Sequence, residues 1–302
     1  DASTRFHKDH RWGNFGSVGA AWLISQEGFM SGADWVQMLK LKASYGVQGN
    51  DSLYPSSGAA IKYYPYADNY THSYNEETGE YSLTLNYKGN EELTWESSHA
   101  YNVGLDFELF KGYLNGTVEY FSRKTTDLLY SKDVPLSSGN PTGMYPVNVG
   151  SILNNGVEVT LGGNIINTKN VQWDWNFNIS HYTNKILSLD ESVSEEGIKG
   201  SYYIYKVGGS LYESYIRKFA GVDPETGAAL WWKEQEKVQK DENGDPVLDE
   251  KNQPVIVKDE NGNPVIEKVT TEKWSDATQY AQGDLMPKVY GGFGTTLNAY
   301  GF

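Results

Sequence analysis

The histidines and carboxylates of this 302-residue chain are where chemistry would first be sought. His7-Lys-Asp-His10 places two imidazoles three residues apart, a spacing that on a helix can hold a metal. No helical pattern and no third ligand accompany it, and His72, His99 and His181 stand alone. Asp241-Glu-Asn-Gly-Asp245 opens with the rhythm of a calcium loop. Pro246 then stands where glycine is needed and Asn252 where the bidentate glutamate belongs, so turn formation accounts for the run better. The chain has no cysteine, which removes thiol catalysis and disulfides and leaves zinc only His and carboxylate ligands. It carries no Gly-x-Ser-x-Gly, Walker A or Gly-x-Gly-x-x-Gly motif. Asp106 and Glu108 occupy the wet side of a strand without a recognisable partner, which reads as polarity facing water and not as an acid/base pair. A glycosidase has no paired carboxylates to work with here. No catalytic residue, metal ligand or cofactor site is assigned.

What remains is recognition. Tyr54, Tyr63, Tyr64, Tyr66 and Tyr70 crowd one loop-like stretch, and Trp231-Trp232 form another aromatic pair. Their flat faces suit sugar rings or peptide side chains, with Asn and Asp nearby for hydroxyls and amides. The same rings can instead pack under one another and give a long loop a small core. Both readings stay open at this stage.

The elements that must position these residues are strands. Tyr101, Val103, Leu105, Phe107 and Leu109 alternate with Asn102, Gly104, Asp106 and Glu108. The period returns in Leu39 to Val47, in Val157 to Leu161 and in Trp173 to Ile179. Eight strands are expected near 14–24, 37–48, 99–110, 113–123, 155–166, 171–186, 201–219 and 287–302. The links 110–112 and 167–170 are tight, 25–36 is intermediate, and 49–97, 127–153 and 187–286 are long. Short turns at one rim and long loops at the other, with one apolar and one wet face per strand, are the marks of an outer-membrane barrel. A soluble or surface-exposed, non-enzymatic β-rich protein that binds glycans or peptides, using the aromatic face as its core, is the alternative. No stretch of about 18 apolar residues exists, so no helical span is expected. A net charge of −14 argues against a nucleic-acid partner. Trp12, Trp22, Trp35, Trp173 and Trp175 are candidates for an interfacial girdle. Gly46, Gly104, Gly116, Gly291 and Gly292 mark strand positions of close approach or curvature.

Within the last long loop, Lys240-Asp-Glu-Asn-Gly-Asp-Pro-Val247 recurs as Lys258-Asp-Glu-Asn-Gly-Asn-Pro-Val265, with Asn252-Gln-Pro-Val255 as a degenerate copy. Each copy is a turn feeding a short strand, so 233–273 is read as a projecting hairpin-repeat ribbon, with a disordered linker as the alternative.

Seven motifs together carry a family resemblance. They are Phe15-Gly-Ser-Val-Gly-Ala-Ala-Trp22, Leu39-Lys-Leu-Lys-Ala-Ser-Tyr-Gly46, Trp95-Glu-Ser-Ser-His-Ala-Tyr101, Tyr120-Phe-Ser-Arg-Lys-Thr-Thr-Asp127, Asn154-Asn-Gly-Val-Glu158, Phe219-Ala-Gly-Val-Asp-Pro-Glu-Thr-Gly227 and Met286-Pro-Lys-Val-Tyr-Gly-Gly-Phe293. In this order they resemble the carboxy-terminal barrel region of SusC/RagA-type TonB-dependent outer-membrane transporters of Bacteroidetes. The resemblance implies an all-β antiparallel meander, part of a transmembrane barrel of about 22 strands with long extracellular loops and a plugged lumen. It also implies import of oligosaccharides or peptides across the outer membrane, a SusD-like surface lipoprotein as partner, and energy from the TonB–ExbB–ExbD system. Residues 1–302 correspond to a partial barrel domain without a recognisable plug or TonB box. The opening Asp1-Ala-Ser-Thr shows no signal sequence and Tyr300-Gly-Phe302 ends within a strand pattern, so both ends read as cut.

Overall fold

The computed structural model describes residues 1–53, 63–193 and 195–301. Seven strands form its main sheet: β1 (Gly16–Leu23), β2 (Val36–Asn50), β3 (Glu96–Leu109), β4 (Leu114–Thr126), β5 (Ser151–Asn167), β6 (Val171–Ser188) and β7 (Tyr290–Ala299). They lie side by side in chain order, each antiparallel to the next. Helix is confined to single 3-10 turns among the described residues. Register keeps the two residue classes apart without exception at the sheet centre. The row Leu41, Leu105, Val118, Val159, Ile179 faces one side, and the neighbouring row Lys40, Asp106, Thr117, Thr160, Asn178 faces the other.

The chain divides into two compact units. The first, residues 1–197, 206–210 and 286–302, contains the whole main sheet. Its apolar face is uncovered even in the inner strands: Leu41, Val103, Val118 and Val157 are between 39% and 46% exposed. The described apolar side chains that are buried are Phe6, Leu53, Pro65, Leu93, Pro146, Ile186, Ile204 and Ala277, none of them on that face. A soluble sandwich would bury it. Aromatic rings bound it at both ends. Trp35 stacks on Phe110 at 5.4 Å and Trp22 meets Phe29 at 6.4 Å beside the short turns. Tyr45 bonds His99 Nδ1 at 2.9 Å and Tyr101 lies 6.2 Å from Tyr120 further up. Ten residues separate Trp35 from Tyr45 and nine separate Tyr101 from Phe110. That is about 30 Å of strand, or about 25 Å of height at a tilt of about 40°, which matches the apolar band of membrane barrels. Trp173 and Trp175 share the outward face, whereas Trp12 sits in the segment preceding β1 and belongs to the opposite end.

At that opposite end, described segments before β1 and from the β2–β3 and β4–β5 connections pack into a small polar-apolar cap. Phe6 and Phe15 flank Trp95 at 5.4 and 5.1 Å, Trp95 Nε1 donates to the Arg11 carbonyl, and Ser3 donates to Asp51. Asn148 ties Thr94 on both backbone groups and accepts no substitute that lacks an amide. In the same cap Asp68 accepts from Lys88 Nζ, Gly89 N–H and Tyr70, and the Lys88 bond holds its carboxyl below the ordinary 3.8.

The second unit, residues 198–205 and 211–285, holds a two-stranded pair (Glu213–Arg217 with Gln279–Asp284) and a three-stranded sheet (Phe219–Val222, Ala229–Glu236, Ile266–Thr271). The strand expected over 201–219 is therefore not one strand. Gly208, at φ +88, breaks it, and Gly208 and Gly209 are clamped by backbone bonds to Ile186 at the end of β6. Beyond the sheet, 237–265 close into two rings of three backbone bonds. Lys237 N donates to Val265 O, Val265 N to Val257 O, and Val257 N to Lys237 O; Gln239, Val255 and Val247 repeat the pattern at 2.8 Å throughout. Three identical turns join the sides. Asp241, Asp249 and Asp259 each accept at Oδ1 from the backbone two and four residues ahead. Gly244, Asn252 and Gly262 occupy the same left-handed position, at φ 88, 62 and 84. The degenerate copy thus begins at Asp249, and Asn takes the place of Gly because its short side chain tolerates that conformation.

Two outcomes are expected. Asn252→Val forces a β-branched residue into the left-handed region at a cost of about 1–2 kcal/mol, whereas Asn252→Gly costs nothing. Hydrogen exchange at the Val247 and Val255 amides will rise in the first variant only. Because the Asp68 carboxyl titrates below its ordinary value, its hold on the cap is complete at neutral pH and fades as the pH falls through the lowered folded pKa. The protection factor of the Gly89 amide, its exchange rate relative to the intrinsic rate at the same pH, will fall below about pH 4, and in Asp68→Asn the protection factor will not change with pH over that range.

Candidate functional site

The polar face of the main sheet carries a chain of ion pairs that begins with the lysines of β2. Lys40 Nζ lies 3.1 Å from Asp106, and Lys42 Nζ bridges Asp106 at 3.0 Å and Glu119 at 3.1 Å. Thr117 donates to Asp106 as well. Lys42, Gly104 and Glu119 are cross-strand neighbours on β2, β3 and β4. The lysine can reach Glu119 only by lying across Gly104, where a Cβ would stand 2.5 Å from Lys42 Cε. A side chain at 104 would oblige Lys42 to take another path across β3.

Next to this chain, toward the long loops, lies a depression of about 390 Å³ lined by Ala100, Asn102, Glu119, Phe121, Arg123, Asn154 and Glu158. Phe121 is its floor, with its ring passing over Gly156 on β5. Arg123 sits opposite Asn154 at one end, and Glu119 sits opposite Glu158 at the other. Asn154 accepts from Asn184 at 2.7 Å, and Asn102 donates to Ser44 at 3.4 Å. The arrangement offers an aromatic surface between a cation and two carboxylates, with amides along its sides. It holds no nucleophile with a base, and no group of three or more metal-ligating side chains occurs among the described residues.

The aromatic candidates separate into three places. Tyr63, Tyr64 and Tyr66 form a run of edge-to-face contacts at 4.8 and 6.1 Å that ends on His7 at 5.9 Å; Tyr63 and Tyr64 remain exposed. Tyr70 stands apart in the Asn69–Asn75 strand, exposed and bonded to Asp68. Tyr54 lies outside the described residues. Trp231 and Trp232 do not form one platform, because consecutive strand residues face opposite ways. Trp231 packs against Trp274 at 4.5 Å and Phe219 at 5.6 Å, with Arg217 over Trp274. Trp232 faces Lys268 at 4.7 Å. The charged groups of the polar face were not recognisable as a set in the sequence. Lys42, Asp106 and Glu119 are 64 and 13 positions apart and meet only through register.

Comparison with known proteins agrees with this two-faced sheet. The β-barrel model of the TonB dependent receptor-like family matches residues 1–252. TonB-dependent receptor P39 of Formosa agariphila is 34% identical over 222 residues, covering 74% of this chain and 20% of its own length. TonB-dependent receptor SusC of Bacteroides thetaiotaomicron is 32% identical over 197 residues, covering 63% and 18%. A chain of the RagAB peptide importer in its closed-closed state superposes with a TM-score of 0.71 at 26% identity, over 99% of this chain and 29% of that one. The chain thus spans about a fifth of the curated relatives it matches. With strands, register, uncovered apolar face and family model in agreement, this chain belongs to the TonB-dependent receptor-like β-barrel family.

Proposed function

We propose that the chain is a section of the wall of a SusC/RagA-type transporter in the outer membrane, importing oligosaccharides or peptides with energy delivered by TonB–ExbB–ExbD and with a SusD-like surface lipoprotein at its mouth. The observation that carries this reading is the sheet with two solvents: an uncovered aliphatic face about 25 Å tall between aromatic rows, backed by a face of ion pairs and amides. Strands β1 and β7 end the sheet with one side unpaired. In hydrocarbon an unpaired row of backbone groups costs several kcal/mol for each group, so the working form is a closed barrel, for which the SusC/RagA resemblance implies about 22 strands. Its plug and TonB contact belong to parts of the transporter outside this sequence.

In the complete transporter, Tyr63, Tyr64, Tyr66 and Tyr70 lie on the long-loop side, where cargo arrives, and contribute stacking faces there; Tyr54 is a further candidate from the sequence alone. Trp231 and Trp232 contribute two further, separate ones. Residues 233–273 form a projecting hairpin-repeat element. The chain acts by binding and by lining a path, without catalysis.

The experiment substitutes neighbours on one strand. In the full-length transporter, Val159→Arg places a charge on the outward row and costs about 2–4 kcal/mol near the membrane midplane, whereas Thr160→Arg faces the interior and stays within about 0.5 kcal/mol. Folded barrel recovered from outer membranes, together with denaturant titration in vesicles, measures both. Equal losses at the two positions would overturn the assignment of faces.

A further inference from the structure

We infer that the depression between Arg123 and Glu158 is a subsite for an extended zwitterionic peptide of four or five residues, with its ammonium end at Glu158 and Glu119 and its carboxylate end at Arg123. The inference rests on the importer reading and narrows its cargo from two classes to one.

Charge counting gives the first argument. Lys40 and Lys42 are satisfied by Asp106 and Glu119, two cations against two carboxylates. Of the charged residues that line the depression, Arg123 and Glu158 enter none of the ion pairs of the described residues, and both residues are exposed. Glu158 is also directly opposite Glu119. Like charges in that position are destabilising unless a cation joins them, and Lys42 is already engaged with one of the two. A ligand ammonium placed between them relieves the repulsion. At the other end, the Arg123 guanidinium is a fork suited to a carboxylate.

Spacing gives the second argument. Arg123 and Glu119 lie four residues apart on β4, and Asn154 and Glu158 lie four apart on β5, so the two charged ends are separated by about 13 Å of strand. An extended peptide advances about 3.3 Å per residue, so its two termini reach both ends when it has four or five residues. Between them, Phe121 offers an apolar face to a side chain. The Asn154 amide, whose oxygen is taken by Asn184, has N–H groups for a peptide carbonyl, and the Asn102 oxygen can accept from a peptide N–H. A neutral oligosaccharide could bond all four side chains through its hydroxyls, but it brings no ammonium to separate Glu119 from Glu158 and no carboxylate for the Arg123 fork.

The test uses the full-length transporter in detergent, with penta-alanine, its N-acetylated form, its C-amidated form and maltopentaose as probes in titration calorimetry. Each blocked terminus should weaken binding by about tenfold or more. Arg123→Ala should lose the difference between free and amidated peptide while keeping that between free and acetylated peptide. Glu158→Gln should do the reverse, and Arg123→Lys should restore part of the first. Indifference to blocking in the native protein, or an equal loss for every peptide in both variants, would overturn the subsite. If maltopentaose binds and is taken up by cells while the peptides are not, the subsite falls and the importer reading stands. If the transporter binds neither probe, the subsite falls, and the importer reading is judged by the Val159→Arg and Thr160→Arg comparison.

Discussion

The constraint on which this molecule depends is that one thin sheet must satisfy two solvents at once. A strand places successive side chains on opposite faces, so a slip of a single residue in pairing would exchange the whole apolar set for the polar one. At the sheet centre the pairs keep the classes apart, and the pairs are long, thirteen residues for β3 with β4 and twelve for β4 with β5. Register here is not the work of turns alone. Ion pairs on one face and aliphatic rows on the other both reject the slipped alternatives. The two irregularities in β6 against β5, at Trp173/Asp174 and Ile186/Ser188, fall near its two ends, where the strand enters and leaves the apolar band.

The ion chain across β2, β3 and β4 shows how this constraint reaches a single residue type. Charges facing an enclosed interior have a weaker dielectric around them than surface charges, so a lysine there gains from having two partners instead of one. Lys42 obtains its second partner by crossing the strand between, over position 104, where glycine leaves its stem a clear path. A glycine in a strand interior is ordinarily a weakness. Here it exchanges local stiffness for a bridge over three strands. The bridge also fixes one wall of the neighbouring depression, since the carboxylate it holds is that of Glu119.

Much of this was legible in the sequence, and the legible part has a common cause. Alternation is a local property, so the strands through 37–48, 99–110, 155–166 and 171–186 announced themselves from side-chain type alone. The tight links at 110–112 and 167–170 did so from their turn residues. Residues 201–219 misled because apolar and aromatic side chains alternate there too, while two adjacent glycines and a clamp to Ile186 decide the outcome. Trp231 and Trp232 are adjacent in sequence but lie on opposite sides of their strand, so they offer two separate aromatic faces. The depression was invisible beforehand, because Asn102, Glu119, Arg123 and Glu158 come from three strands whose relative offset no single segment specifies.

The turns of 237–265 extend the same lesson to a unit with almost no apolar interior. Each side of the small prism has too few residues to be stable as a free hairpin. Its cohesion comes from closure: three sides bonded in a ring leave no unpaired edge, and an aspartate at each corner takes the N–H groups the turn leaves over. The Asn263 N–H donated to Asp259 holds that carboxyl below its ordinary value, so the corner is firm in the ionised state. Closure is thus the common solution at two scales. A full barrel abolishes edges by joining its first strand to its last. This miniature does so with three short sides, and that is how a highly charged repeat of about thirty residues keeps a defined shape without a core.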